Sequence, residues 1–256
     1  MQSYKTIGVN AMVTLNKIKS IYFRKFIYSR KLKPCYFEPY PIDYYQRLIG
    51  KLSETQESII HPFTENIIHI NNNKSHIYIR HDIDTYECIR KMSYVLDTDL
   101  EYKIYPGVYL RADEEEYNLK SFRNLIWDYK QAGIEIGIHT ICYKEEDYFS
   151  ELERECKVFS DELGFQPISL SVHGLGLFRN DVRQRFYNEM KFRLDQFGLE
   201  FADIPGIRNY DYVIEDCHKF KGESNRFIGH DFNNPFRYFF LSGIFLILTH
   251  PCYWTK

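Results

Sequence analysis

Four stretches of this 256-residue chain end in residues able to bind a metal ion or move a proton. They are Arg80-His81-Asp82-Ile83-Asp84, Gly137-Ile138-His139-Thr140, Ser171-Val172-His173-Gly174 and Leu248-Thr249-His250-Pro251. Carboxylates and imidazoles ligate divalent cations, and imidazole titrates near neutral pH. In the first stretch the two-residue period of an extended chain puts Asp82 and Asp84 on one face and His81 and Ile83 on the other. Two carboxylates that close repel each other unless a cation or a shared proton stabilises them, which is the condition for a metal ligand beside a general base. Singly, each residue has a plainer explanation, because an Asp at a strand end is commonly a turn former or helix cap and a lone His commonly a hydrogen-bonded structural residue. Four such endings together point to one site.

The elements that must position them alternate along the chain. Short apolar or β-branched runs at 77–84, 103–110, 134–140, 168–173, 199–204, 212–216 and 242–249 predict strands. Between the first four lie segments of helical spacing. One carries Ile89, Met92, Val95 and Leu96, a second carries Leu119, Phe122, Leu125, Ile126 and Tyr129 and stops at Gly133, and the clearest carries Phe149, Leu152, Cys156, Phe159 and Leu163 before Gly164. A long helix with Val182, Phe186, Met190, Leu194 and Phe197 on one side, capped by Asn180 or Asp181, is expected after the fourth strand. Alternation of this kind specifies the α/β class: a parallel sheet with helices outside, either open and doubly wound or closed as a barrel. In both forms the C-terminal strand ends share the face where active sites are built. Residues 1–76 are expected to form an N-terminal helical extension packed on a body spanning 77–256.

Composition narrows the function. Hydrophobic residues at 44% and charged residues at 27% suit a soluble globular protein. The net charge of -2 gives no signal for nucleic acid, although all of the N-terminal charge is basic: residues 1–37 hold eight Lys or Arg and no acid. That segment is expected to pack on the body with its cations solvated, or to make weak contact with a membrane surface. Residues 238–255 carry no Lys, Arg, Asp or Glu, but their apolar part is too short to span a bilayer and reads as a buried strand. Six cysteines with no CxxC pair, and no cleavable leader, predict a reducing, cytoplasmic setting. Cys142 and Cys252 stand near His139 and His250, where they would either ligate a soft metal or simply pack. Asp216, His230 and Asp231 are further candidates for the mouth of a site, and Arg179, Asn180 and Arg208 are either solvated loop residues or contacts for a sugar or phosphate. No Walker loop, GxGxxG, GxSxG or HExxH is present, so nucleotide-dependent and serine-hydrolase chemistry lack their usual support.

The order and context of these motifs resemble the polysaccharide deacetylases, the NodB-homology group or carbohydrate esterase family 4, over about residues 77–254. The first motif is similar to that of the branch reading RHDVD. Further matches are Glu135-Ile136-Gly137-Ile138-His139-Thr140, Leu163-Gly164-Phe165-Gln166-Pro167 leading to His173-Gly174, and Leu248-Thr249-His250-Pro251. The resemblance implies a distorted (β/α) barrel, usually of seven strands, and a metal-dependent hydrolase, with zinc as the expected divalent ion, that removes an acetyl group from an N-acetylated sugar or glycan precursor. It implies Asp82 as general base, Asp84 and His139 as metal ligands and His250 as the acid that protonates the leaving amine.

The chain departs from that pattern in three places. Position 143, where the family repeats a histidine four residues after His139, is Tyr, so the metal shell needs His173 or, less readily, the Tyr143 phenolate. The paired aspartates are split by Ile83, leaving open which of Asp82 and Asp84 is base and which is ligand. The family's base-orienting Arg has no counterpart at Ser171–Gly174. Either the site is rebuilt around His173, or the barrel is catalytically degenerate and binds glycan or a partner enzyme.

Overall fold

The computed structural model describes residues 40–65, 74–112, 116–144, 147–174, 180–216 and 242–255. In chain order the elements are β1 (Tyr40–Pro41), α1 (Ile42–Glu54), β2 (Ser58–Ile60), β3 (Ser75–Ile83), α2 (Tyr86–Glu101), β4 (Gly107–Leu110), α3 (Arg123–Gln131) and β5 (Glu135–Thr140). They continue as α4 (Tyr148–Leu163), β6 (Ser169–Val172), α5 (Asn180–Met190), β7 (Phe201–Asp203), β8 (Tyr212–Glu215), β9 (Gly243–Thr249) and β10 (Trp254–Thr255). Seven strands pair in parallel in the order β7-β6-β5-β4-β3-β9-β8, with β2 beside the first residues of β3.

The sheet curls into a half-barrel, and one contact measures the curl. Strands β3 and β7 are four places apart, which at about 4.8 Å per strand would separate them by roughly 19 Å in a flat sheet. Yet Arg80 Nη1 of β3 lies 2.5 Å from Asp203 Oδ2 of β7. Among the described residues no ladder joins β7 to β8, so the expected α/β barrel is present in an open, distorted form.

Alternation on β3 divides the molecule into two faces. Ile77 and Ile79 join the large apolar core under the helices, with Val95, Leu96, Ile126 and Phe159. Tyr78 instead faces the hollow, whose lower half is filled by Phe63, Tyr109, Phe201, Leu246 and Leu248. The hollow is tight beside β5, where a Cβ added at Gly137 would stand 2.6 Å from a Tyr109 ring carbon and 2.2 Å from Ser169 Oγ.

Local chemistry starts and stops the helices around the rim. Thr85 caps α2, its hydroxyl accepting from Cys88 N at 3.3 Å, so the chain turns outward directly after Asp84. Asp147 caps α4 through Ser150 N at 3.2 Å, and Gly164 ends that helix at φ 79°, a backbone conformation that glycine adopts without strain.

Three features depart from the sequence expectation. Residues 58–60 form a strand of the sheet, although they fall in the stretch read as a helical extension. Tyr40–Pro41 pairs with Trp254–Thr255, tying the two ends of the described chain together. The single helix expected through Phe197 breaks after Met190 into tighter turns, with Phe192 N bonded to Glu189 O and Arg193 N to Met190 O, each at 3.1 Å. Residues 1–39, including the basic segment, lie outside the described residues.

Candidate metal centre

The C-terminal ends of β3, β5, β6 and β9 bring Asp82, Asp84, His139, His173 and His250 into one cluster. At its centre are three donor atoms. Asp84 Oδ1 lies 3.2 Å from His139 Nε2 and 3.1 Å from His173 Nδ1, and the two imidazole nitrogens are 3.3 Å apart. Hydrogen bonding alone accounts poorly for so even a triangle, because an N–H aimed at one corner points about 60° away from the other. A cation accounts for it well. Four-coordinate bonds of about 2.0–2.1 Å place neighbouring donors roughly 3.3–3.4 Å apart. The donor set, one carboxylate and two imidazoles, suits zinc or a similar divalent ion.

Each donor is held from behind. His139 Nδ1 meets Ser171 Oγ at 2.6 Å, which leaves Nε2 for the centre. The backbone of His173 is fixed by its N–H to Thr140 O at 3.0 Å and by the Tyr143 hydroxyl, which donates to His173 O at 2.6 Å. Tyr143 thus buttresses the histidine and stands outside the donor triangle, so the phenolate alternative has no geometric support. Arg111 Nη1 donates to Asp84 O at 3.4 Å, and the Tyr117 hydroxyl to Ile83 O at 2.6 Å.

Asp82 occupies a different setting from Asp84. Arg80 grips it with both prongs of its guanidinium, Nε to Oδ1 at 2.8 Å and Nη2 to Oδ2 at 2.6 Å, and the remaining Nη1 reaches Asp203. The Tyr210 hydroxyl in turn donates to Asp203 Oδ1 at 2.6 Å. Asp82 Oδ2 remains 3.6 Å from His139 Nε2. On the opposite side His250 Nε2 lies 3.6 Å from Asp84 Oδ2, while its Nδ1 meets Asp216 Oδ1 at 2.7 Å. Asp216 is fully buried and accepts also from His250 N and Trp254 Nε1.

These neighbours set the protonation states. Burial pushes the Asp82 carboxyl up, but the Arg80 and His139 charges outweigh it and hold the group below the usual range. Burial pushes the Asp84 carboxyl up too, but the hydrogen bonds of His139 and His173, together with the charges of His139 and His250, outweigh it and hold the group well below that range. Burial draws His139 down toward its neutral form, the form that ligates metals. Burial acts on His250 in the same sense, but the Asp216 carboxylate overrides it and raises this imidazole well above its ordinary value.

Arg80, Asp203 and Ser171 were not singled out as functional by sequence. Arg80 carried a signal, since it stands two residues before Asp82 on the same strand and so must share its face. Asp203 and Ser171 carried none, because only the curl and register of the sheet bring them close. Asp216 does reach the site, beneath His250. Arg208 does not: it is buried over the rings of Phe63, Tyr78 and Phe201 at 4.3–4.8 Å and donates to Phe63 O at 2.7 Å. Cys142 is buried and hydrogen-bonded to Thr140 through its backbone, and neither it nor Cys252 belongs to the donor triangle. Arg179, His230 and Asp231 lie outside the described residues.

No family model matches the chain, and no curated protein matches it. Solved structures do. A polysaccharide deacetylase from Bacillus cereus aligns at 13% identity and a TM-score of 0.41, over 69% of this chain and 79% of its own. A peptidoglycan N-acetylglucosamine deacetylase, solved with an N-oxidanyl-benzamide compound, aligns at 13% and 0.38 over 70% and 74%. A CE4 family pseudoenzyme from Bacillus anthracis aligns at 12% and 0.40 over 72% and 58%.

Proposed function

We propose that the chain is a metal-dependent hydrolase that removes an acetyl group from an N-acetylated sugar or glycan precursor. The observation that carries the reading is the donor triangle of Asp84, His139 and His173, with sides of 3.1–3.3 Å and one carboxylate and one imidazolium beside it. These three residues would hold the cation, a reading that takes Asp84 as ligand and leaves Asp82 as base. A divalent ion bound there would polarise an acyl oxygen and bring the pKa of water from about 15.7 toward roughly 7.

The chain's own groups divide the proton work. Asp82, kept ionised by Arg80, accepts the proton of the attacking water through the lone pairs that the guanidinium fork leaves free. His250, kept protonated by Asp216, delivers a proton to the nitrogen that leaves as the amine. Arg80 therefore takes the base-orienting part from the same strand as the base itself. The sugar is the substrate class implied by the motif resemblance, and the open rim above β3, β5, β6 and β9 is where it would bind.

The test incubates zinc-loaded protein with chitin oligosaccharides and measures free amine. Amine release that is abolished by chelation, restored by zinc and lowered about 100-fold or more in Asp82→Asn and His250→Ala supports the reading. Zinc and glycan bound together without amine release would instead make the barrel a binding protein.

A further inference from the structure

Behind the proton donor stands a tryptophan that takes no part in the donor triangle. Trp254 is fully buried on β10, four residues after His250. Its indole Nε1 donates to Asp216 Oδ2 at 3.0 Å, and the backbone N–H of His250 donates to the same oxygen at 2.8 Å. A carboxylate oxygen has two lone pairs, so these two donors engage Oδ2 and leave Oδ1 for His250 Nδ1, 2.7 Å away. The path from His250 to Trp254 is itself fixed: Tyr253 N bonds to His250 O at 3.0 Å, and Lys91 Nζ donates to Cys252 O at 3.2 Å, pinning the turn Pro251–Tyr253 to α2.

The indole is gripped by elements outside the seven-strand path of the sheet. Strand β10 pairs with β1, Trp254 opposite Tyr40, and the two ring centroids are 5.1 Å apart. Tyr45 of α1 meets the indole edge-on at 5.1 Å and 66°, while Tyr44 lies nearly parallel to it at 6.4 Å and 8°. Three rings around one indole fix its plane and so the direction of its N–H.

We propose that Trp254 is a positioning residue for proton delivery by His250, acting through Asp216. With Oδ2 pinned, the Asp216 carboxylate is held against rotation about its Cβ–Cγ bond. Oδ1 then stays on Nδ1, and the imidazole presents Nε2 to the rim, 3.6 Å from Asp84 Oδ2. A phenylalanine at position 254 would keep an aromatic ring there and donate nothing, which frees the carboxylate to turn and the imidazole to follow it. Tyr40, Tyr44 and Tyr45 thus bear on the geometry of the acid through the indole they hold. The consequence for rate rests on the hydrolase reading, whereas the hydrogen-bond chain does not.

Deacetylation of chitin oligosaccharides by the zinc-loaded full chain tests the proposal, with Trp254→Phe made both in the native chain and in Asp216→Ala. In the native chain it is expected to lower kcat about tenfold, the scale of one hydrogen bond to a charged group, and to leave KM within about twofold. In Asp216→Ala it is expected to cost nothing further, since its effect runs through that carboxylate. A native kcat in Trp254→Phe, or an equal loss in both backgrounds, overturns the proposal. Benzothienylalanine at position 254, in a Trp127→Phe chain where no other tryptophan remains, keeps the double ring and removes only the N–H. Compared with the same chain carrying tryptophan, it is expected to show the same fall in kcat at an unchanged Tm, and an unchanged kcat overturns the proposal. A native chain that releases no amine contradicts the hydrolase reading, and the His250 Nδ1 proton then decides the positioning. Its low-field NMR resonance is expected to move in Trp254→Phe, and an unmoved resonance overturns the proposal.

Discussion

His139 and His250 show how one site drives two imidazoles to opposite states. The first is nearly fully buried and drawn down by that burial, while the second rests on Asp216 and is raised well above its ordinary value. A scheme that needs Asp82 ionised and His250 protonated gains rate as Asp82 loses its proton, well on the acid side, and loses rate as pH rises through the raised pKa of His250. Replacing Asp216 with Asn removes the charge that raises it. The alkaline limb of kcat/KM is then expected to move down by about one unit or more, and an unmoved limb would remove His250 from the acid role. Stability follows the same linkage. Because the folded pKa of His250 exceeds its unfolded value near 6.5, its stabilisation is fully present below that value and is lost as pH rises through the folded pKa. At this scale the five clustered groups were legible from residue type and strand position. Arg80 was readable from alternation and overlooked, and Asp203 was not readable, because it is 123 residues from its partner.

The β-strands are where a local pattern translates into site geometry. Strand predictions at 77–84, 134–140 and 168–173 correspond to β3, β5 and β6 within two residues at each end, because β-branched and apolar runs bounded by polar turns mark buried parallel strands. The two-residue β1 and β10 and the three-residue β2 were missed, since runs that short carry no period. The broken helix after Met190 was missed for the opposite reason: apolar spacing continues through Phe197 while the backbone does not. Strand β5 is also the tightest element against the hollow. Gly137→Ala would push a methyl into Tyr109 and Ser169, with 2.8 Å to the Ser169 carbonyl as well, so β5 and β6 must separate or the ring must move. A loss of about 1–3 kcal/mol in denaturant unfolding is expected, with His139 displaced and metal affinity lowered. Unchanged stability would mean that the hollow is looser than this packing implies.

At the scale of the whole molecule, the curl of the sheet assembles the site; strand spacing alone left it undecided between an open sheet and a closed barrel, and the motif resemblance implied the distorted barrel that is present. Arg80 bound to Asp203 across the hollow, and His81 bound on the outer face to Asp99 at 2.8 Å and Thr249 at 2.5 Å, hold β3 from both sides. The Tyr45 hydroxyl of α1 completes that outer anchor by donating to Asp99 at 2.7 Å, so α1 supports the site from outside the donor triangle. A cation bridging three strand ends should stabilise this arrangement. Zinc at a hundred times its dissociation constant is expected to add about 2.7 kcal/mol, a rise in Tm of roughly 5–10 °C in a chain of this size. The most direct measurement of the central claim is elemental analysis after equilibrium dialysis against zinc, for the native chain and for Asp84→Ala, His139→Ala and His173→Ala. One tightly bound zinc per native chain, lost or bound at least tenfold more weakly in each of the three variants, is the predicted result. Native protein that retains no zinc, or variants that retain it undiminished, would contradict the account.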